Sequence, residues 1–213
     1  MSHLGYDDPI VYPGQPGLSH LHMFFGNKLT NAYSTYDSLR TTGASSCDGG
    51  PVNRSGYWTP AVFNAQGKVV APNFISVYYK GPGQDARGKL VDTATLAAGL
   101  RMIAGYNMSN PGADTNFEWY CDINQVKQQT IPHCAGNEQV GVHLTFPTCW
   151  DGRLDSSDHR SHLSYMKRNP DTGKLYCPSG FDKQIPRFEL GLWFKNNGNT
   201  ENWYLSSDRM AGM

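Results

Sequence analysis

Two histidines stand two residues apart in the segment SHLHMFF (19–25), inside a run that is otherwise apolar. In a β-strand, successive side chains point to opposite faces, so His20 and His22 would share one face with Phe24. Two imidazoles on one face can be metal ligands, an acid/base pair, or polar residues on the solvated side of a sheet. The segment alone leaves these three interpretations open.

A second polar cluster lies in CWDGRLDSSDHRSH (149–162), which follows a predicted strand. Its Asp-His-x-x-His core places Asp158, His159 and His162 within a short stretch, with Asp151 and Asp155 just before them. Such a loop can collect ligands for a divalent metal, or a carboxylate can orient a catalytic imidazole. The two clusters contain four of the seven histidines. We therefore predict that both face one polar site at the rim of a sheet.

Aromatic and cationic side chains are the next candidates. Trp58, Tyr79 and Trp150 lie in segments rich in Trp and Tyr, whose rings can stack against the apolar faces of sugars. Lys80 and Arg101 stand beside apolar segments and can neutralise an acidic group of a substrate. His143 alternates with apolar residues, and we expect it to be a polar residue on a sheet face.

Composition narrows the class of protein. The 213 residues include 18 Lys+Arg and 18 Asp+Glu, so no bulk charge attracts nucleic acid or acidic lipid. No apolar run approaches the roughly 20 residues of a membrane span. The opening MSHLGYDDP contains no secretory signal and reads like a start methionine on a mature chain. Asn53 and Asn107 begin triplets that fit the glycosylation pattern.

The five cysteines show no CxxC zinc pattern, which favours disulfides and an oxidising compartment. Loop length favours the pairs Cys121–Cys134 and Cys149–Cys177, with Cys47 unpaired.

The pattern of residues predicts one mainly β domain over 1–213, a β-sandwich or jelly roll whose long loops carry the site. Short helices are expected at 33–42 and, capped by Thr93, at 94–103. Strands are predicted at 20–26, 74–81, 139–146, 187–194 and 202–207.

Several segments together resemble the DUF1996 family, a domain of unknown function in secreted fungal and bacterial proteins, sometimes beside WSC modules. They are DDPIVYPGQPGLSHLHMFFGN (7–27), SGYWTPAVF (55–63), YYKG (78–81), GLRMIAG (99–105), FPTCWDG with DHRSHLSY (146–165) and CPSGFDKQIPRFELGLWF (177–194). The resemblance implies an extracellular setting and a role on cell-wall polysaccharide. It also implies a C-terminal stretch containing His-Ala-Asp, which this sequence does not contain. The polar residues that it selects are Asp8, His20, His22, Tyr57, Lys80, Arg101, Asp151, Asp158, His159 and His162.

The first functional hypothesis is an enzyme that cleaves or otherwise acts on polysaccharide. A hydrolase would need two carboxyl groups at the scissile bond, with Asp151 or Asp158 as first candidates. A lyase would need a base (His20, His22 or His159), a proton donor such as Tyr57, and a cation, Arg101 or Lys80, for the uronate. The chain has four glutamates and none lies in a motif, which weakens the hydrolase.

Two alternatives use other chemistry. His20, His22 and Asp158, with His159 or His162, can bind zinc or copper, whereas calcium would prefer the oxygens of 151–158. The last alternative is a non-enzymatic wall or fibre protein that binds glycan through its aromatic residues or self-associates.

Overall fold

The computed structural model of the chain describes residues 1–81, 94–106, 116–122, 126–136 and 138–212. The predicted cap Thr93 and the acceptor Asn107 lie outside them. Within the described ranges, one α-helix, α1 (Tyr36–Thr41), and two 3₁₀ helices (Gly50–Val52 and Ser206–Gly212) accompany sixteen short strands. The strands are β1 (His3–Gly5), β2 (His22–Gly26), β3 (Gly56–Pro60), β4 (Val62–Phe63), β5 (Phe74–Lys80), β6 (Phe117–Cys121), β7 (Ala135–Gly136), β8 (Gln139–Thr145), β9 (Cys149–Trp150), β10 (Leu163–Ser164), β11 (Lys167–Arg168), β12 (Leu175–Tyr176), β13 (Lys183–Gln184), β14 (Arg187–Lys195), β15 (Gly198–Asn199) and β16 (Tyr204–Leu205).

Two antiparallel sheets form the framework. One has the order β1-β2-β3 and the other the order β5-β14-β8-β6. Alternation along β14 points Phe188, Leu190, Leu192 and Phe194 inward, where they join Met23 and Phe25 of β2 in one buried cluster. The mainly β, sandwich-like fold predicted from the sequence is confirmed.

The long predicted strands are confirmed as β2, β5, β8 and β14, and the segment 202–207 contains β16. The segment 33–42 contains α1, whose N-cap residue Thr35 forms a capping box with Ser38. Strand β2 is buried on both faces, so its histidine is not on a solvated surface.

The helix predicted at 94–103 is wrong. Gly99 adopts φ +84°, a left-handed conformation that an α-helix does not allow. The apolar residues of this segment pack instead against a second small core formed by Trp150, Leu163 and Ile185. Tertiary burial has overridden the helix propensity of the Ala- and Leu-rich sequence.

Both predicted disulfides are present. Cys121 pairs with Cys134 and Cys149 with Cys177, while Cys47 is free. Each closes a loop, of 13 and 28 residues in sequence separation, and so restricts the unfolded chain. Within the described residues, no helix combines the length and the apolar character that a membrane span needs.

Candidate functional site

A large cavity collects most of the residues that the sequence singled out. Its volume is about 2020 Å³, but its lining includes core residues that are almost fully buried, such as Leu190, Leu192 and Phe194, so a ligand would reach only the part outside them. The walls come from the inner faces of both sheets, from 96–106 and from 158–160. The predicted residues among its lining are Asp8, His20, His22, Tyr57, Trp58, Tyr79, Arg101, Asp158 and His159.

The cavity extends around the edge strand β3. All five residues of this strand line it, although alternate residues belong to opposite faces of the sheet. Tyr57 is paired with Phe25 on the inner face, whereas Trp58 is paired with Phe24 on the other face, beside His22. The polar residues therefore form separate clusters along one continuous space.

The first cluster is the histidine pair. The rings of His20 and His22 have their centroids 4.3 Å apart. The Nδ1–H of His22 donates to the carbonyl oxygen of Asp7 (2.9 Å), which leaves the lone pair on Nε2. Nε2 of His20 is buried and has no hydrogen-bond partner within the described part of the chain. Burial lowers the pKa of both imidazoles, that of His20 to about 4, so both are neutral at neutral pH.

Asp8, next to this pair, has a structural role. Its Oδ1 accepts hydrogen bonds from the backbone amides of Ile10 and Val11, both at 2.8 Å. Its Oδ2 accepts from Nε1 of Trp58 at 3.2 Å. The carboxylate thus fastens the loop before His20 to strand β3 and holds the indole in place.

The second cluster is an imidazole oriented by a carboxylate. Nδ1 of His159 donates to Oδ1 of Asp155 at 2.9 Å, and Nη1 of Arg101 donates to Oδ2 at 3.3 Å. Burial acts to raise the pKa of Asp155, but the hydrogen bonds from His159 and from the backbone amide of Ser156, with a smaller contribution from the charge of Arg101, outweigh it and lower this pKa. The Nδ1 contact leaves Nε2 of His159 as the basic nitrogen.

The backbone at His159 is unusual for a residue with a side chain. Its φ is +55°, a left-handed conformation that costs energy outside glycine. The surrounding hydrogen bonds hold this conformation, since the amide of His159 donates to the carbonyl oxygen of Ser156 at 2.9 Å. The loop therefore fixes the direction of the imidazole.

Asp158 organises the same loop. Its Oδ1 accepts from the amides of Ser161 (2.8 Å) and Arg160 (3.1 Å) and from Oγ of Ser156 (2.7 Å). These hydrogen bonds, that of Ser161 foremost, hold the pKa of Asp158 well below its usual range. Asp158 is therefore a fixed carboxylate and unsuited to act as a general acid.

The predicted metal set is not assembled. His162 is fully buried, with Nε2 donating to the carbonyl oxygen of Arg101 (2.8 Å) and Nδ1 2.9 Å from Oγ of Ser156. Across the described ranges, three potential ligand atoms come within 4.8 Å of one another only at Cys121, Cys134 and Glu138. Those two sulfurs form a disulfide, which removes them as thiolate ligands.

A phenol pair forms the third cluster, on the inner face. The hydroxyls of Tyr57 and Tyr79 are 2.8 Å apart, and that of Tyr57 donates to Oδ1 of Asn53 at 3.1 Å. Burial raises the pKa of both phenols, so they stay protonated and can act as hydrogen-bond donors.

Two predicted substrate-binding residues lie outside the cavity. Lys80 follows Tyr79 in β5, so alternation turns it to the outer face, where Nζ meets the carboxylate of Glu189 at 2.6 Å. Trp150 is a core residue, 7% exposed, whose Nε1 donates to the carbonyl oxygen of Arg153. His143, expected to be a polar residue on a sheet face, lies on the outer face, 3.5 Å from Glu189.

Asp155 is the member of the site that the sequence analysis did not select. Its signal was the spacing of four residues to His159, which places a carboxylate one turn of chain before the imidazole. The contribution of Arg101 to the same carboxylate had no local signal, because 54 residues separate it from Asp155.

Lowering the pH is expected to destabilise the protein through the histidine pair. Between pH 6.5 and about 4 the unfolded chain binds a proton at His20 that the folded chain does not, so stability falls as the pH falls. Because the ring is only partly buried, solvent screens this effect, and we expect a loss of about 1–2 kcal/mol. Urea unfolding of the parent and of His20→Gln across this range measures the difference. Parallel curves for the two proteins would contradict the assignment, and His133→Gln, at an exposed position, is the control.

The chain was compared with known proteins. No curated protein matches it, and no solved structure does so either. A family described as "Domain of unknown function (DUF1996)" matches residues 8–213, essentially the whole chain, and the protein therefore belongs to this family.

Proposed function

We propose that this protein is an extracellular lyase that cleaves uronate-containing polysaccharide in the large cavity. The observation that carries the proposal is the Asp155–His159–Arg101 arrangement, a carboxylate-oriented imidazole beside a permanent cation. Its imidazole and guanidinium residues, His159 and Arg101, line the cavity. Two disulfides support an oxidising, extracellular compartment.

Each group has a defined task in such an elimination. Nε2 of His159 removes the proton next to the uronate carboxyl, and that electron pair forms a double bond as the neighbouring glycosidic C–O bond breaks. The imidazolium returns the proton to the leaving oxygen. Arg101 stabilises the negative charge that grows on the carboxyl group, and Asp155 stabilises the imidazolium.

The carboxylates of the cavity favour a lyase over a hydrolase. Those among its described lining are Asp8, Asp158 and Asp208, and each accepts at least one backbone amide. Backbone amides thus occupy lone pairs of each of these carboxylates, whereas a hydrolase needs one carboxyl group that is free to donate a proton to the leaving oxygen. A lyase that uses an imidazole as its base needs no protonated carboxyl group.

The phenol pair and Trp58 supply binding surface. An apolar wall with a few polar groups is the usual composition of a ligand site, and the aromatic rings can stack on sugars. The hydroxyl of Tyr57 donates to Asn53 and that of Tyr79 donates to Tyr57, so the phenol pair offers the oxygen of Tyr79 as a fixed acceptor for a sugar hydroxyl.

The test is an activity screen with two simultaneous readouts. The protein is incubated with alginate, pectate and hyaluronate, and with a neutral β-1,3-glucan as control. A lyase produces new reducing ends together with the ultraviolet absorbance of an unsaturated uronate, and only on the acidic polymers. Reducing ends without that absorbance would indicate hydrolysis, and the absence of both on every polymer would contradict the proposal.

A further inference from the structure

The outer face of the four-stranded sheet carries a row of exposed aromatic side chains. In β5, alternation places Phe74 and Tyr78 on this face, 57% and 54% exposed, and Tyr79 on the cavity side. Trp193 of β14 is directly opposite Phe74, with the ring centroids 5.1 Å apart. Four residues along a strand span about 13 Å, so the row is long enough to contact more than one sugar ring.

Two glycines let aromatic rings lie against the sheet. A Cβ at Gly191 would lie 2.6 Å from the ring of Trp193, and one at Gly141 would overlap the ring of Tyr120. The indole therefore lies over the backbone of its own strand. The indole itself lies flat on the sheet, with the ring of Phe74 tilted by 46° against it, in contrast to the concave site on the other side of the sheet.

Positive charge lies at one end of this row. The carboxylate of Glu189, whose side chain is only 7% exposed, contacts Nζ of Lys80 (2.6 Å) and Nε of Arg187 (2.9 Å). Two permanent cations around one carboxylate leave an excess of positive charge beside Tyr78, over which Nζ of Lys80 also lies at 5.3 Å from the centroid. Both cations are partly exposed and accessible to a ligand.

We propose that this outer face is a second, non-catalytic binding surface for an acidic polysaccharide chain. Sugar rings stack on Phe74, Tyr78 and Trp193, while Lys80 and Arg187 pair with acidic groups of the same chain. Flatness suits a polymer rather than a small molecule, which needs a concave pocket. Because this face is on the opposite side of the sheet from the cavity, its binding does not depend on cleavage.

Affinity electrophoresis tests the proposal on the whole chain. The parent is run in gels with alginate, with neutral hydroxyethylcellulose, and with neither polymer. We expect retardation in alginate that salt weakens, and an apparent affinity lowered about tenfold in Tyr78→Ala and in Trp193→Ala. Tyr33→Ala, which removes a tyrosine 65% exposed outside both sheets, should behave like the parent.

Cleavage of short oligosaccharides is also measured on each variant, so that binding at the outer face can be distinguished from cleavage in the cavity. Tyr78→Ala should be retarded less than the parent and keep its cleavage rate. Failure of cleavage in all proteins, with retardation intact, would overturn the lyase alone. Equal retardation in both polymers would overturn the preference for acidic chains. Absence of retardation, or a parent dimer in sedimentation velocity that Tyr78→Ala dissociates, would overturn the glycan surface.

Discussion

The variant His159→Asn is expected to lose polysaccharide cleavage by about 10²- to 10⁴-fold, the range that a general base contributes. Asparagine removes the basic nitrogen and tolerates the left-handed conformation, φ +55°, that this position adopts. The loss should therefore appear in kcat while the melting temperature changes little. Steady-state assays on the polymer that the parent cleaves measure the effect.

Two further variants test whether the loss of activity in His159→Asn comes from the carboxylate-oriented imidazole. Asp155→Asn keeps the size of the side chain but removes the charge that faces His159 and Arg101, and we expect a loss of about 10²-fold or more. His133→Asn, at an exposed position outside the cavity lining, should retain full activity. If His159→Asn keeps more than half of the parent rate, the base lies elsewhere, and His20 and His22 become the first alternatives.

The strands could be predicted because their signal is local. In β5, β8 and β14, apolar residues alternate over seven to nine positions, and the period of two identifies a strand without tertiary information. The same alternation already placed Tyr79 and Lys80 on opposite faces. It could not indicate which face borders the cavity, so both were selected for one site.

The segment 94–103 shows the opposite case. Its Ala, Leu and Met residues favour a helix by intrinsic propensity, which amounts to tenths of a kcal/mol per residue. Burial of Leu96 and Leu100 against the second core contributes more than that. Because this core is formed by residues far along the chain, the burial that it provides cannot be predicted from the segment 94–103 alone.

The site was partly predictable for the same reason. The clustering of histidines and aspartates within 149–162 pointed to a functional loop, and the cavity does receive His159 from it. The sequence could not separate the roles of its acidic residues, which depend on their hydrogen bonds. Asp158 binds backbone amides, whereas Asp155 binds an imidazole and a guanidinium.

The variant Gly26→Ala is expected to destabilise the protein by about 2–5 kcal/mol, which combines two costs. Gly26 ends β2 with φ +76°, a conformation that costs a residue with a side chain roughly 1–2 kcal/mol. A Cβ there would also overlap the carbonyl oxygen of Ser55 and lie 3.0 Å from the ring of Tyr57. Relief requires a backbone shift between β2 and β3, and overpacking of this kind adds roughly 1–3 kcal/mol.

Two matched glycines separate these costs in urea unfolding experiments. Gly14→Ala has a similar φ, +72°, and open space around the new methyl, so it should show the conformational cost alone. Gly81→Ala has no positive φ and, among the residues that the structure describes, no neighbour within 4 Å, so it should change stability by less than about 0.5 kcal/mol. Since β2 and β3 carry His22, Tyr57 and Trp58, the shift in Gly26→Ala should also lower cleavage. Equal losses of unfolding free energy in Gly26→Ala and Gly14→Ala would contradict this prediction. They would show that β2 and β3 accommodate the methyl group without strain, and that their close approach does not fix the cavity wall.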